Sequence, residues 1–282
     1  MVRPLRLEYP NAVYHVVSRG NGDQKIFEGS EDKDKFLCIA SSVFERFSWL
    51  SYAYSLMDNH YHLVIETPKP NLSKGMRQLN GIWAQVSNRQ KKKTGHLFQG
   101  RFKAFLIERE LYLLEVIRYV VLNPVRAQIC ARPEEYRYTS FLETIDAAKG
   151  SNLLASDLVL SQFGVRKREA RKSFKTFIYD GIGAKSILAD VNAQIFLGGD
   201  QFVAKHTLDL PDEMLSETPK AQRPDPKPPL ANIIKHRKDQ AGVYDAYRGW
   251  GYTMKEIAGH LHVHYSTVSR MAAKQEVKDR NA

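Results

Sequence analysis

The order of strand and helix patterns between residues 12 and 122 restricts this chain to few folds. Residues 12–19 are β-branched and aromatic and end at Gly20, which predicts a strand and then a turn. Ser30 is placed to cap a helix whose first turn carries Glu31, Asp32 and Asp34, favourable charges at a helix N-terminus. Phe36, Ala40, Val43, Phe44 and Phe47 then recur at helical spacing and give that helix a buried face. Strands at 49–57 and 60–66 follow, joined by a tight Asp58-Asn59 turn. Leu72, Met76, Leu79, Trp83 and Val86 mark a second helix, closed by a basic loop at 89–95. A strand at 103–108 and a helix over 110–122 complete the unit. The order β-α-β-β-α-β plus one helix is that of an α+β, ferredoxin-like (split βαβ) fold: an antiparallel sheet with helices on one face. Its first and third strands occupy the centre of the sheet.

At 282 residues the chain is long enough for about two domains. The split βαβ unit is expected to span 1–132, with a helical extension over 133–210. Six of the twelve prolines fall between Pro211 and Pro229, so 211–230 is expected to be an extended linker. A compact helical segment over 231–282 follows it. Hydrophobic and charged contents of 43% and 26% are ordinary for globular proteins and exclude wholesale disorder, collagen and coiled coil. No apolar run approaches the roughly 20 residues of a membrane helix, and the amino end has no apolar signal-peptide core. Cys38 and Cys130 are too few for a disulfide scaffold or a thiolate zinc site. The expectation is a cytoplasmic protein without a membrane partner.

Charge narrows the partner. Forty-two Lys and Arg against 31 Asp and Glu leave a net +11, which favours a polyanion, nucleic acid first. The excess is uneven. Lys69, Lys74, Arg77, Arg89, Lys91, Lys92, Lys93, Arg101 and Lys103 fall in a window, 69–107, that contains no acid. Surfaces that only confer solubility interleave both signs. A second cluster, Arg166, Lys167, Arg168, Arg171, Lys172 and Lys175, is broken by Glu169 and fits a solvated helix face.

Two elements carry chemistry. His60 and His62 stand at i and i+2, so on a strand both imidazoles point to one face. Neutral imidazoles so placed are natural ligands for a divalent cation; the alternative is a half-buried strand pair. Tyr119 and Asn123 stand at i and i+4, one above the other on a helix. Together they offer a nucleophile and a further ligand. The alternative is that Tyr119 packs in the core and Asn123 ends the helix before Pro124, and spacing alone favours that packing role. Tyr112 is a rival nucleophile, but its +4 neighbour Val116 cannot bind a metal.

Five blocks in order extend the pattern: Tyr14-His15-Val16 with Ser18-Arg19-Gly20-Asn21, Met57 to Val64, Gly95 to Ala104, Arg118 to Ala127 and, within that last stretch, Leu122 to Ala127. Over about residues 1–140 the chain resembles the HUH endonucleases, specifically the single-tyrosine, REP-associated transposases of the IS200-like family. The resemblance implies that His60 and His62 hold Mg²⁺ or Mn²⁺, that Asn123 is the third ligand and that Tyr119 is the nucleophile. It implies cleavage and rejoining of single-stranded, hairpin-bearing DNA through a 5′-phosphotyrosine that leaves a free 3′-OH. Where the family often carries tryptophan and two serines this chain has Tyr138-Thr139-Ser140, outside the site.

On that reading Arg89, Lys91, Lys92, Lys93, Arg101 and Lys103 neutralise phosphates, and Arg19 and Asn21 offer bidentate hydrogen bonds to bases. Phe98 and Phe102 can stack on unpaired bases, whereas Trp83, on an apolar stripe, suits core packing. Residues 253–270 look like a helix-turn-helix, with Ile257, Ala258, Leu261, Val263 and Val268 at packing positions and His262 at the turn, where glycine is common. Tyr265, Ser266, Thr267 and Arg270 would then face a major groove, adding duplex DNA as a partner. A monomer or homodimer associated with a bacterial nucleoid is expected. The alternative function is a catalytically silent or domesticated sequence-specific DNA-binding regulator.

Overall fold

The structure, a computed structural model, describes residues 7–146, 153–185, 187, 195–208, 228–236, 239–248, 252 and 254–280. Its centre is a sheet of β1 (Ala12–Arg19), β2 (Leu50–Leu56), β3 (His60–Thr67) and β4 (Lys103–Ile107), joined by a short β5 (Phe196–Leu197) in the order β2-β3-β1-β4-β5. The first and third strands are central, as the element order predicts. β1 pairs antiparallel with both β3 and β4. β5 pairs parallel with β4 and lies in the stretch expected to be helical. Two residues are too few to show any periodicity, so this strand arises from its place beside β4 alone.

Residues alternate across the sheet. Tyr14, Val16, Tyr61, Leu63 and Ile65 face α1 (Ser30–Phe47) and α2 (Leu72–Lys91), where Phe36 sits 4.8 Å from Tyr61 and 5.7 Å from Trp83, ring centre to ring centre. Trp83 is fully buried and donates its indole N–H to the Ile26 carbonyl. Val13, Ala53, Val64 and Ile107 occupy the opposite face and pack with Leu113, Val116, Ile117, Val120 and Val121 of α3 (Arg109–Val121). The split βαβ helices therefore share one face as expected, but α3 covers the other. Those apolar strand residues would otherwise be left in water. The short α4 (Asn123–Arg126), α5 (Phe141–Ile145) and α6 (Ser156–Leu160) follow, and then α7 (Lys167–Tyr179), whose Phe174 and Ile178 join the same cluster.

Local chemistry sets the ends. Ser30, expected as a cap, is instead the first helical residue; Gly29 holds the cap position and the Asp32 carboxylate accepts the Glu28 N–H at 2.9 Å. The β2–β3 turn at Asp58-Asn59 closes through the Met57 N–H to the His60 carbonyl at 2.8 Å. The Asp58 carboxylate meets Lys33 at 2.8 Å and Lys25 at 3.2 Å, and its backbone carbonyl accepts from Ile26 and Phe27.

The chain forms two compact units. One holds the described residues up to 187 together with Ile195–Leu197, and the other holds those from Gly198 onward. The boundary expected after residue 132 is thus not a division, because α5, α6 and α7 complete the core over α3. The proline-rich linker expected at 211–230 falls almost wholly outside the described residues. The second unit contains α8 (Asp200–Leu208), α9 (Leu230–Ile233), α10 (Gln240–Arg248), α11 (Met254–Leu261) and α12 (Tyr265–Arg280). Val243, Ala246, Ile257, Leu261 and Val268 form its apolar centre. His262 turns α11 into α12 at φ 52°, the left-handed region that usually selects glycine.

Gly20 shows how tightly the end of β1 is built. A Cβ there would lie 2.1 Å from the Gln24 carbonyl oxygen. Gly20→Ala is therefore expected to lower stability by ~1–3 kcal/mol, read as a lower urea midpoint. An unchanged midpoint would show that this turn yields without strain.

Candidate active site

The β1–β3 register puts three imidazoles on one face. Arg19 pairs with His60, Val17 with His62 and His15 with Val64, so His15 and His62 are diagonal neighbours across the two strands. His15 and His62 are buried and His60 is half-buried. The His15 Nε2 and His62 Nδ1 atoms form a hydrogen bond at 2.9 Å, with the rings stacked 5.1 Å apart. The His60 ring lies 5.0 Å from His62 and nearly perpendicular to it. Its Nδ1 is 2.7 Å from Asn59 Oδ1, an acceptor, so Nδ1 carries the proton and Nε2 the lone pair. His62 Nε2 is buried with no hydrogen-bond partner among the described residues.

The apolar stripe of α3 brings a phenol to this cluster. With Val116, Ile117 and Val120 held against the sheet, the Tyr119 ring stands 5.9 Å from His15 and 6.0 Å from His62. α3 ends at Val121, and Pro124 has no N–H to continue its ladder. The chain nonetheless keeps turning through α4, with the Arg126 N–H bonded to Leu122 O and the Ala127 N–H to Asn123 O, both at 2.9 Å. Asn123 thus stays about one turn beyond Tyr119, and its amide contacts the His60 imidazole. The Arg126 guanidinium lies 5.4 Å from the centre of the Tyr119 ring. Tyr112, two turns earlier and about 10 Å along the axis, packs into the apolar cluster of α3.

Burial governs the charge state. It pushes His15 down to about 3 and His62 well below the usual imidazole range, the latter helped by repulsion from His15 and His60. Burial also lowers His60, with Arg19 adding to the effect and the Asn123 amide opposing it. All three rings are neutral near pH 7. No group of three or more His, Cys, Asp or Glu is placed to hold a metal among the described residues, so a cation here would draw on an amide besides the imidazoles. Asp58 is committed to Lys33 and Lys25, and Glu66 to Arg109 and the Tyr52 hydroxyl.

Around the cluster the basic residues differ in availability. Arg19 pairs with Asp23 at 2.6 Å, and Lys91 reaches Glu28 at 2.9 Å with its side chain only 13% exposed. Asn21, Arg89, Lys92, Lys93, Arg101 and Lys103 are exposed. The second basic cluster is partly neutralised: Arg166 meets Glu169, Lys167 meets Asp157 and Lys175 meets Glu134. Near the start of α12, Tyr265 and Arg270 are exposed and Thr267 is half-buried.

Sheet and helices together define an α+β fold with a histidine–tyrosine cluster on one face of the sheet. Residues 8–123 match the family described as "Transposase IS200 like". Among solved structures, a REP-associated tyrosine transposase bound to a REP hairpin aligns with 16% identity and a TM-score of 0.45, over 56% of this chain and 90% of that one. A crystal structure from Deinococcus radiodurans R1, of a protein assigned to the transposases, aligns with 15% identity and a TM-score of 0.31, over 40% and 93%. No functionally curated protein matches the sequence.

The structure brings His60, His62, Tyr119 and Asn123 near one another, a grouping that the family resemblance implied and spacing alone did not. It adds His15 and Arg126, which sequence reasoning noted only as members of motif blocks. His15 is legible as buried by alternation along β1, but its meeting with His62 depends on a cross-strand register that no local pattern reveals.

The buried, neutral His15 has a consequence for stability. Its folded pKa lies below the unfolded value of about 6.5, so the unfolded chain binds more protons and stability falls as pH drops from about 6.5 toward 3. His15→Gln should flatten that acid limb by up to about 1.4 kcal/mol per pH unit, read from urea melts at pH 7 and 5. An unchanged limb would mean that His15 does not titrate this way.

Proposed function

We propose that this chain is a metal-dependent, single-strand-specific DNA endonuclease and strand transferase with Tyr119 as nucleophile. The observation that carries this reading is the placement of the Tyr119 ring within 6.0 Å of His62, beside Asn123 and His60. A divalent cation, Mg²⁺ or Mn²⁺, fits the donor chemistry. His62 offers a buried, unpartnered Nε2, His60 an Nε2 whose partner nitrogen is held by Asn59, and Asn123 an amide oxygen. Metal-bound histidines are typically fixed in this way through the second ring nitrogen. His15 supplies that hold for His62. When bound, such a cation neutralises the nonbridging oxygens of the scissile phosphate and polarises the phosphorus.

The protein's own residues then account for the rest. Tyr119 Oη attacks phosphorus while the bond from phosphorus to the 3′ oxygen breaks, giving a 5′-phosphotyrosine and a free 3′-OH. Attack by another 3′-OH reverses the step, so strands rejoin without an external energy source. Arg126 places positive charge beside the phenol where the phosphate must be received. Exposed Lys92, Lys93, Arg89, Arg101 and Lys103 would carry the flanking phosphates, and Asn21 an exposed amide for base edges. Arg19 and Lys91 would first have to leave Asp23 and Glu28. The hairpin preference rests on the motif blocks shared with REP-associated transposases. The α11–α12 pair would add duplex contacts through Tyr265, Thr267 and Arg270.

Tyr119→Phe should reduce cleavage of a single-stranded hairpin oligonucleotide by at least about 10³-fold while leaving binding nearly intact. Tyr112→Phe should cleave normally. His60→Ala, His62→Ala or chelation should each remove the Mg²⁺- or Mn²⁺-supported reaction. Full activity in Tyr119→Phe, or in excess EDTA, would refute the mechanism. Tight binding with no cleavage in the wild type would favour the regulator.

A further inference from the structure

By pattern alone the cations of α7 fit a solvated face, but in the structure they divide into two sets. Arg166 and Lys167, at the start of the helix, hold Glu169 and Asp157. Arg168, Arg171, Lys172 and Lys175 recur at i, i+3, i+4 and i+7 and so form one stripe about 10 Å long. Of these, Lys175 alone meets an acid among the described residues, Glu134 at 3.6 Å. Arg168 and Lys172 are exposed. Arg171 is half-buried, and its buried Nε has no hydrogen-bond partner among the described residues. The stripe adds nothing to the core, which takes Ala170, Phe174 and Ile178 from another side of the helix. Arg168 with Lys172 and Arg171 with Lys175 are like charges at i and i+4, an arrangement that destabilises a helix. The fold therefore gives no reason for the stripe.

α7 lies beyond residues 8–123 but is locked to the helix that carries Tyr119. Arg118, the neighbour of Tyr119 in sequence, sets its guanidinium 4.4 Å from the centre of the Phe177 ring and donates to the Phe177 carbonyl at 3.5 Å. A Cβ on Gly181 would come within 2.5 Å of the Arg118 side chain, so the two segments meet without slack. One end of the stripe is thereby fixed beside α3. A fixed line of cations fits a partner whose negative charges are also fixed in line. The phosphates of a paired DNA stem are so arranged, at one charge per about 1.7 Å of duplex axis. An unpaired strand is gripped by aromatic platforms together with cations, and the stripe offers no open ring. Tyr179, one turn beyond Lys175, packs against the α3 cluster with its hydroxyl held by Glu134 at 2.6 Å. Cations alone position a duplex without selecting its sequence.

We infer that α7 is a further DNA-binding surface, on which Arg168, Arg171 and Lys172 hold backbone phosphates of a paired stem. The inference rests on the reading of the chain as acting on hairpin DNA.

The test measures binding in the Tyr119→Phe background, so that cleavage does not enter. A labelled long-stemmed hairpin and an unpaired oligonucleotide of the same length are titrated by fluorescence anisotropy over a range of salt. Arg168→Ala with Lys172→Ala, both exposed and outside the core, should weaken hairpin binding about tenfold and leave the unpaired strand unchanged. The salt slope for the hairpin should fall by about 1.8, from roughly 0.9 per lost phosphate contact. The urea midpoint should not fall, since two like charges have been removed. Adding Arg171→Gln should deepen the loss of affinity, and scrambling the stem sequence should leave it unchanged. Lys35→Ala with Arg46→Ala, an equal change of charge at exposed sites on α1, should alter hairpin affinity only slightly. An equal loss from the α1 pair, an equal loss on both DNAs, or no loss on either would overturn the assignment. A wild type that binds neither DNA would overturn it together with the DNA reading. Cleavage by Tyr119 is judged in its own assay, so the mechanism and the α7 surface can each fail alone.

Discussion

The antiparallel pairing of β1 with β3 is the constraint on which the site depends. These central strands put His15, His60 and His62 on one face and Tyr14, Tyr61 and Leu63 on the other. A slip of one residue would carry the imidazoles into the apolar layer under α1 and α2 and turn Tyr14 and Tyr61 toward α3. Both faces are packed, one by Phe36 and Trp83 and the other by Val116 and Val120, so neither accepts the exchange. Hydrophobic burial on both sides thus fixes the geometry of a small polar cluster.

That cluster is unusual for a buried site in holding neutral donors rather than charges. Removing an ion from water is costly unless it is paired, and neutral imidazoles avoid most of that cost. The remaining cost appears as His62 Nε2 and His15 Nδ1, buried atoms without partners among the described residues. Because the two neutral rings share one hydrogen bond, one of these orphans is a donor and the other an acceptor. Unpartnered polar atoms concentrated at one point of a well-packed sheet mark a place kept for something other than stability. Acids near the sheet end are held elsewhere, Asp58 by two lysines and Glu66 by Arg109. Under the proposed function, an incoming strand would meet carboxylates that are already paired with cations, Asp23 with Arg19 among them.

Much of this was legible in the sequence, and the limits follow from physics. Local periodicity identified β1 to β4, α1 to α3 and the shared faces of His60 with His62 and of Tyr119 with Asn123. It also separated Trp83, a core residue, from the exposed cations of the window. What it could not supply were relations between distant segments. β5 is defined only by lying next to β4, and α3's choice of face by the apolar residues left over on β1 and β3. The partnership of His15 with His62 spans 47 residues. Arg19 and Lys91 looked available because Asp23 and Glu28 become their neighbours only in the folded loops.

The central claim is that the Tyr119 hydroxyl is the atom that joins the DNA. Incubating the wild-type chain with a single-stranded hairpin and Mn²⁺, trapping the adduct, digesting it and sequencing the modified peptide by mass spectrometry tests this directly. The account predicts a nucleotide 5′-phosphate on Tyr119 in the α3 peptide. A nucleotide on Tyr112 or any other residue, or efficient cleavage with no covalent adduct, would contradict it.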